Sequence, residues 1–198
     1  MIASSLNLWT VVIPVKPTTL GKSRLRIPGV NRAAMAHAVA LDTIEAAAEV
    51  AHVVVVTADT ALTLSGVHVV REKSPTGLED AIALGLAEIP PVRRAVLLGD
   101  LPGLLPADLV HALEMAESVS LGSVPDEERV GTTLVTARKG ALTPLFGIGS
   151  WRRHIAAGFA ELPLAPRSTL RRDVDTVNHL VGHLGPRTAA LLATAARR

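Results

Sequence analysis

The sequence has no cysteine and no tyrosine, and it is poor in the other aromatic residues. Without cysteine the chain can form no disulfide and offers no thiolate, so a bound metal would need oxygen or imidazole ligands. Phenylalanine and tryptophan together make up only 2% of the 198 residues. That is too little for the aromatic platforms on which single-stranded nucleic acids stack, and we expect no nucleic-acid partner.

Long apolar runs are also missing, although 48% of the residues are hydrophobic. No run approaches the roughly 20 apolar residues of a membrane-spanning helix. The first residues show no basic segment followed by an apolar core and a cleavage site, as a secretory signal would. We therefore expect a cytoplasmic protein with no membrane partner, folded as a single domain over residues 1–198.

Near the N-terminus an apolar strand leads into a cationic loop. Residues 8–15 are mostly apolar and partly β-branched, which predicts a buried strand. Lys16, Lys22, Arg24 and Arg26 follow with almost no acid among them. Clustered cations favour an anionic ligand such as phosphate, because the positive charges repel one another and a bound anion offsets that repulsion. The alternative is a solvated loop whose lysines keep the protein soluble.

The composition of this loop favours the phosphate interpretation. Residues 17–21 combine a proline, two hydroxyls and a glycine, which let backbone N–H groups face a ligand. Gly21-Lys22-Ser23 resembles the end of a Walker A motif, but Lys16 stands where its first glycine is required. Pro28-Gly29 would also interrupt the helix that follows such a loop. We therefore reject a P-loop.

Apolar strands alternate with helical patterns as far as residue 117. This alternation is typical of βαβ units and predicts an α/β fold with a mostly parallel sheet covered by helices on both faces. The predicted segments are helices over residues 31–49, 78–88 and 106–117 and strands over residues 52–57, 67–71 and 95–98.

The alternation of strand and helix patterns ends after Ser118. Residues 119–124 and 132–137 are extended pieces on either side of a polar turn, and they predict a hairpin inserted into the α/β pattern. A helix over residues 151–161, a short strand and C-terminal helices are expected to follow.

Three carboxylates are predicted where such sheets collect ligands, beyond the carboxyl ends of strands. Asp100 follows the strand over residues 95–98, and Asp173 and Asp175 are two residues apart. In an extended segment that spacing turns both side chains the same way. Facing a cationic loop, the three suggest a Mg²⁺ ion that bridges the phosphates of a nucleotide. The alternative for the later pair is a helix N-cap at Asp175 or Thr176.

The histidines give weaker signals. His179 and His183 have the spacing of a zinc-binding helical pair, but Leu180 replaces the glutamate of that motif, and we expect a surface pair. His154 follows two arginines and is a candidate for an anion-binding face.

Taken in order, the motifs resemble those of the CofC/FbiD guanylyltransferases of coenzyme F-420 biosynthesis, over roughly residues 12–176. That family is similar to the MobA-type nucleotidyltransferases, with a GT-A-like, mostly parallel sheet flanked by helices. The motifs are IPVKPTTLGKSRL, Gly99-Asp100-Leu101-Pro102, Gly131-Thr132-Thr133, FGIGS at residues 146–150 with Arg153-His154, and Asp173-Val174-Asp175-Thr176.

The resemblance implies an enzyme that joins GMP from GTP to a small phosphorylated acid and releases pyrophosphate. In the bacterial branch the acid is phosphoenolpyruvate, and in archaea it is 2-phospho-L-lactate. The alanine- and arginine-rich composition is associated with high-GC bacteria and favours phosphoenolpyruvate. A phospholactate guanylyltransferase, a nucleoside-triphosphate hydrolase and a non-catalytic nucleotide-binding domain are the alternatives, and a homodimer is possible.

The resemblance also assigns residues, each by its match to a family motif. The predicted Mg²⁺ ligands are Asp100, Asp173 and Asp175. The cations predicted around the GTP phosphates are Lys16, Lys22 and Arg24. The predicted contacts to the acid are Thr132, Gly147 and Ser150. The chain departs from the usual family pattern at Glu79, Thr133 and Ile148.

This chemistry needs no general base. The attacking group would be a phosphate oxygen that is already dianionic near neutral pH, since its second pKa is about 6. Catalysis then consists of alignment and charge neutralisation around the α-phosphorus of the nucleotide.

Overall fold

The structure, a computed structural model, describes residues 8–16, 27–62 and 64–196. Most of the cationic loop, including Lys22 and Arg24, lies outside these residues. The strands are β1 (Thr10–Val15), β2 (His52–Thr57), β3 (His68–Arg71), β4 (Val92–Leu97), β5 (Leu121–Pro125), β6 (Thr132–Lys139) and β7 (Ala160–Glu161). The α-helices are α1 (Arg32–Ala48), α2 (Leu78–Ala87), α3 (Pro106–Ala116), α4 (Ser150–Ala156) and α5 (Pro186–Ala195).

The strands form one sheet in the order β3-β2-β1-β4-β6-β5-β7. Strands β1 to β4 pair in parallel. Strand β6 is antiparallel to both β4 and β5, while β7 pairs in parallel with β5. Within this sheet β6 alone runs against the common direction, which confirms the predicted mostly parallel sheet and its hairpin.

Helices cover both faces of the sheet. Successive strand residues point to opposite faces, so both faces are apolar and each forms a core layer with the helices that pack on it. Ile13 of β1 packs in the layer that also contains Ile44 of α1 and Leu109 of α3. Its neighbour Val12 packs in the opposite layer with Ile82 of α2. This two-sided burial explains why the parallel strands are continuous apolar runs in the sequence.

The prediction of a helix as far as residue 161 is wrong. Helix α4 ends at Ala156, and Gly158 then takes a left-handed φ of 89°. A glycine in this conformation is a common helix terminator. It releases Ala160–Glu161 to pair with β5 as the edge strand β7.

Helix α5 is held against α1 by a buried carboxylate. Asp42 accepts hydrogen bonds from the backbone N–H groups of Arg187 at 3.1 Å and Thr188 at 2.8 Å. These N–H groups belong to the first turn of α5, where no intrahelical acceptor exists, so Asp42 supplies one from another element. None of the helices among the described residues has the length and apolar character needed to cross a membrane.

Candidate active site

A cleft of about 660 Å³ opens where β1 and β4 end at their carboxyl edges. Ligands collect at this edge of open α/β sheets. Seven of the nine predicted site residues line the cleft, and the remaining two, Lys22 and Arg24, lie outside the described residues. The seven are Lys16, Asp100, Thr132, Gly147, Ser150, Asp173 and Asp175.

The three predicted metal ligands form one cluster. Asp100, Asp173 and Asp175 each offer a carboxylate oxygen within 4.8 Å of the others. Two oxygens bound to one Mg²⁺ lie at most about 4.2 Å apart, twice the metal–oxygen distance. A small contraction of the cluster would therefore let one divalent cation touch all three. Hard carboxylate oxygens are the donor type that such a cation prefers.

Packing of Val174 explains why its two neighbours reach the cleft. Val174 is only 2% exposed and packs with Met35 and Val39 of α1. Because side chains alternate in an extended segment, burying Val174 turns Asp173 and Asp175 the other way.

The capping alternative fails for Thr176. This residue directly precedes a 3₁₀ turn over Val177–His179, and its side chain makes no capping hydrogen bond. The nearby backbone N–H of Asp175 instead donates to Nδ1 of His179 at 3.3 Å.

Gly99 brings the end of β4 close to the end of β1. A Cβ at this position would lie 3.2 Å from the carbonyl oxygen of Pro14 and 3.3 Å from side-chain carbons of Ile13 and Val15. These distances are tighter than ordinary van der Waals contact. A residue without a Cβ therefore allows Asp100 and the exposed Lys16 to line the same cleft.

The residues assigned to the acid converge from β6 and α4. Thr132 begins β6, and Ser150 begins α4; both are almost fully buried. Gly147 and Gly149 between them take left-handed φ angles of 112° and 71°, which favour glycine. A turn forms as the N–H of Ser150 donates to the carbonyl of Gly147 at 3.0 Å.

The prediction that His154 belongs to an anion-binding face is wrong. Its side chain is completely buried, and burial is the main reason that its pKa falls from 6.5 to about 4. A ring that stays neutral at pH 7 brings no positive charge to an anion. Both ring nitrogens have protein partners, Thr132 and the backbone of Leu145, and a hydrogen bond with the backbone of Ser150 partly offsets the effect of burial on the pKa.

Arg153, next in the same motif, is bound to the loop that carries Gly147. Its guanidinium donates to the carbonyl oxygens of Ile148 at 2.6 Å and of Leu145 and Phe146 at 2.9 Å. The arginine thus holds the FGIGS loop in shape, while the side chain of Ile148 is left 94% exposed beside the cleft.

Asp126 and Glu128, which the sequence did not single out, also line the cleft. The Asp126 carboxylate accepts hydrogen bonds from the N–H groups of Val130 at 2.9 Å and Gly131 at 2.5 Å. It therefore shapes the hairpin turn that leads into Thr132. An aspartate at the start of a polar turn was the available signal, because such side chains often bind nearby backbone N–H groups.

Thr133, one of the departures from the family pattern, faces away from the cleft. It is fully buried, and its hydroxyl donates to the carbonyl oxygen of Leu170 at 2.6 Å. The residue therefore ties β6 to the segment just before Asp173.

Comparison with known proteins agrees with this geometry. The family model described as guanylyl transferase, CofC-like, matches residues 9–160. Phosphoenolpyruvate guanylyltransferase of Thermomonospora curvata is 43% identical, covering 93% of this chain and 89% of that protein. Phosphoenolpyruvate guanylyltransferase of Salinispora arenicola is 41% identical and covers 96% of each.

Solved structures share the fold at lower identity. Rv0371C of Mycobacterium tuberculosis, crystallised as a complex with manganese, is 21% identical with a TM-score of 0.57, over 86% of this chain and 94% of that one. A nucleotidyl transferase from Methanothermobacter is 19% identical with a TM-score of 0.54, over 93% and 98%. With the family match spanning most of the chain and relatives above 40% identity, this protein belongs to the CofC-like guanylyl transferase family.

Proposed function

We propose that this protein is a phosphoenolpyruvate guanylyltransferase, which transfers GMP from GTP to phosphoenolpyruvate and releases pyrophosphate. The observation that carries the proposal is the convergence of three carboxylates, a lysine and the Thr132–Ser150 pocket on one cleft. The relatives that bear this name match the chain over nearly its full length. We expect a single-domain, cytoplasmic enzyme, with a homodimer as a possible assembly.

Asp100, Asp173 and Asp175 would hold Mg²⁺. Their hard oxygen donors suit this ion, and the manganese in the Rv0371C structure supports a divalent cation in proteins of this fold. A bound Mg²⁺ would neutralise negative charge on the nucleotide phosphates.

The remaining assigned residues bring two anions together. Lys16, with Lys22 and Arg24, would bind the GTP phosphates and offset their repulsion of the incoming acid. Thr132, Ser150 and the backbone at Gly147 would orient the acid so that a phosphate oxygen faces the α-phosphorus. Since that oxygen is already ionised, no side chain has to remove a proton.

Pyrophosphate release from GTP and Mg²⁺, measured with each acid in turn, tests this function. We expect release that depends on phosphoenolpyruvate. Release without any acid would indicate a hydrolase, and GTP binding without release would indicate a nucleotide-binding domain.

Asp100→Asn tests the metal assignment within the same assay. Loss of partners that only support metal ligands already costs about 10- to 100-fold, so loss of a ligand should lower turnover by about 100-fold or more. Glu114→Gln, which removes one charge from the exposed side of α3, is the matched control and should keep wild-type turnover. Near-normal activity of folded Asp100→Asn would contradict the assignment.

A further inference from the structure

His154 connects two parts of the proposed acid pocket that are distant in sequence. Its Nδ1 lies 3.0 Å from the hydroxyl oxygen of Thr132 on β6. Its Nε2 accepts a hydrogen bond from the backbone N–H of Leu145 at 2.8 Å, just before the FGIGS loop. The ring itself belongs to α4, so three elements meet at one buried side chain.

These partners determine which ring nitrogen carries the proton. A backbone N–H can only donate, so Nε2 must present its lone pair to Leu145. A neutral imidazole carries one proton, which must then be on Nδ1. Nδ1–H therefore donates, and the Thr132 oxygen accepts.

The surroundings of the ring keep this state fixed. Phe146 and Phe159 contact it edge-on, with centroid distances of 5.5 and 5.0 Å and interplanar angles of 73°. Burial lowers the pKa of His154 to about 4, so the ring stays neutral throughout the physiological range. Neither ring rotation nor protonation is expected to reverse the direction of the hydrogen bond.

This tautomer determines what the hydroxyl of Thr132 can do, and Thr132 is one of the residues that line the cleft. Because its oxygen accepts from Nδ1–H, its own proton must point to a different acceptor. Among the described residues, this hydroxyl makes no second hydrogen bond to a protein group. Carboxylate and phosphate oxygens of an acid in the cleft are suitable acceptors.

We propose that His154 is a positioning residue for the phosphorylated acid. By donating to the Thr132 oxygen, it leaves the Thr132 hydroxyl proton to be donated to the acid, and it holds this hydroxyl at a fixed position relative to the FGIGS loop. This inference rests on the proposed function, because it takes Thr132 to contact the acid. Arg153 supports the same loop through three carbonyl oxygens, so adjacent residues of α4 hold both its N–H and its C=O groups.

The tautomer can be measured directly on the wild-type protein with ¹⁵N-labelled histidine. The imidazole of His154 should show no titration between pH 5.5 and 8, and its signal is assigned by its loss in His154→Asn. We expect a protonated Nδ1 and an unprotonated Nε2. A protonated Nε2, or a doubly protonated ring at pH 7, would overturn the inference whatever the activity of any variant.

A double-mutant cycle tests whether His154 acts through Thr132. Loss of a hydrogen bond to a charged group corresponds to a roughly 10- to 100-fold change, so Thr132→Val should raise KM for phosphoenolpyruvate by that factor and leave KM for GTP nearly unchanged. His154→Asn should raise the same KM by about 10-fold in the wild-type background. In the Thr132→Val background it should change KM by less than about twofold, because the hydroxyl it positions is gone.

His111→Asn, the same substitution at an exposed site of α3, is the matched control and should change neither KM. An equal effect of His154→Asn in both backgrounds would overturn the positioning role while leaving the proposed function intact. If Thr132→Val itself leaves the KM for the acid unchanged, both the acid contact and this inference fail. Wild-type acid-dependent pyrophosphate release would still support the guanylyltransferase function in that case.

Discussion

The backbone N–H of Val174 donates a 2.9 Å hydrogen bond to the backbone carbonyl oxygen of Asp100. This bond joins the loop after β4 to a segment more than 70 residues later in the chain, at the point where both carry carboxylates. Burial of the Val174 side chain against α1 also fixes the position of this segment. The geometry of the acidic cluster therefore depends on a backbone contact and a core residue as well as on the carboxylates themselves.

The variant Asp175→Ala distinguishes between two roles of Asp175, that of a metal ligand and that of a helix N-cap. If Asp175 binds the metal, turnover should fall by about 100-fold or more, as for Asp100→Asn, while the free energy of unfolding without metal stays close to wild type. Activity assays over a range of Mg²⁺ concentrations and urea unfolding in EDTA measure the two effects. A loss of about 1 kcal/mol in stability with full activity would instead indicate a cap. Thr176→Ala, which removes no capping bond, is the control.

The sequence predicted the positions of the acids because strand ends and side-chain alternation are local properties. Asp100 comes directly after an apolar strand, and the acids on either side of Val174 follow period-two alternation. Asp100 follows a parallel strand, whose carboxyl end lies at the edge where ligands collect. Asp173 and Asp175 follow a 3₁₀ turn over Thr169–Arg171 instead, and the hydrogen bond from Val174 to Asp100 that brings them to this edge could not be predicted from local patterns.

The role of His154 could not be predicted in the same way. Two neighbouring arginines suggested an anion-binding face, yet the ring is buried between Phe146 and Phe159. One of these residues comes from a loop and the other follows the helix, and no periodicity in one sequence shows that they meet. The early end of α4 was missed although Gly158 is a local stop signal, since a left-handed glycine ends the helix and leaves Ala160–Glu161 to pair with β5.

Lys16→Ala should weaken the use of GTP without changing thermal stability, since an exposed lysine contributes little to folding. We expect KM for GTP to rise by about threefold to tenfold at low salt. The ratio of mutant to wild-type KM should shrink as salt is added, because the Debye length falls from about 30 Å at 0.01 M to about 8 Å at 0.15 M. Lys139→Ala, an exposed lysine at the other end of the sheet, is the control. A salt-independent ratio would argue against a charge interaction.

The buried His154 should make stability depend on pH. Its pKa is lowered to about 4 by burial, so below pH 6.5 the unfolded chain binds a proton that the folded chain does not take up until about pH 4. The contribution of the neutral ring is complete above pH 6.5 and is lost as the pH falls toward 4. In urea unfolding, the stability advantage of the wild type over His154→Asn should be about 2 kcal/mol smaller at pH 5 than at pH 7.5. An advantage that does not change with pH would contradict a lowered pKa.

Gly85→Ala should destabilise the protein although alanine is the better helix former. A Cβ on Gly85 would lie 2.7 Å from Cγ2 of Val56 and still closer to Val12, so α2 would have to move away from the sheet. Overpacking of this kind costs about 1–3 kcal/mol, whereas alanine gains at most about 1 kcal/mol in helix propensity. We expect a net loss in the free energy of unfolding. A stabilised variant would show that α2 does not pack this tightly on β1 and β2.

The identity of the acid is best tested by competition between phosphoenolpyruvate and 2-phospho-L-lactate for GTP, with the products measured by mass spectrometry. The two acids differ by the geometry at C2 and little volume, and pockets discriminate such small differences by about 1–3 kcal/mol. We therefore expect the phosphoenolpyruvate product to dominate, with some phospholactate product. Ser150→Ala should lower the use of both acids and leave KM for GTP nearly unchanged, because we assign Ser150 to the acid together with Thr132 and Gly147, which line the same cleft. A dominant phospholactate product would overturn the choice of acid and keep the guanylyltransferase activity, whereas a Ser150→Ala effect confined to GTP would move this residue to the nucleotide site.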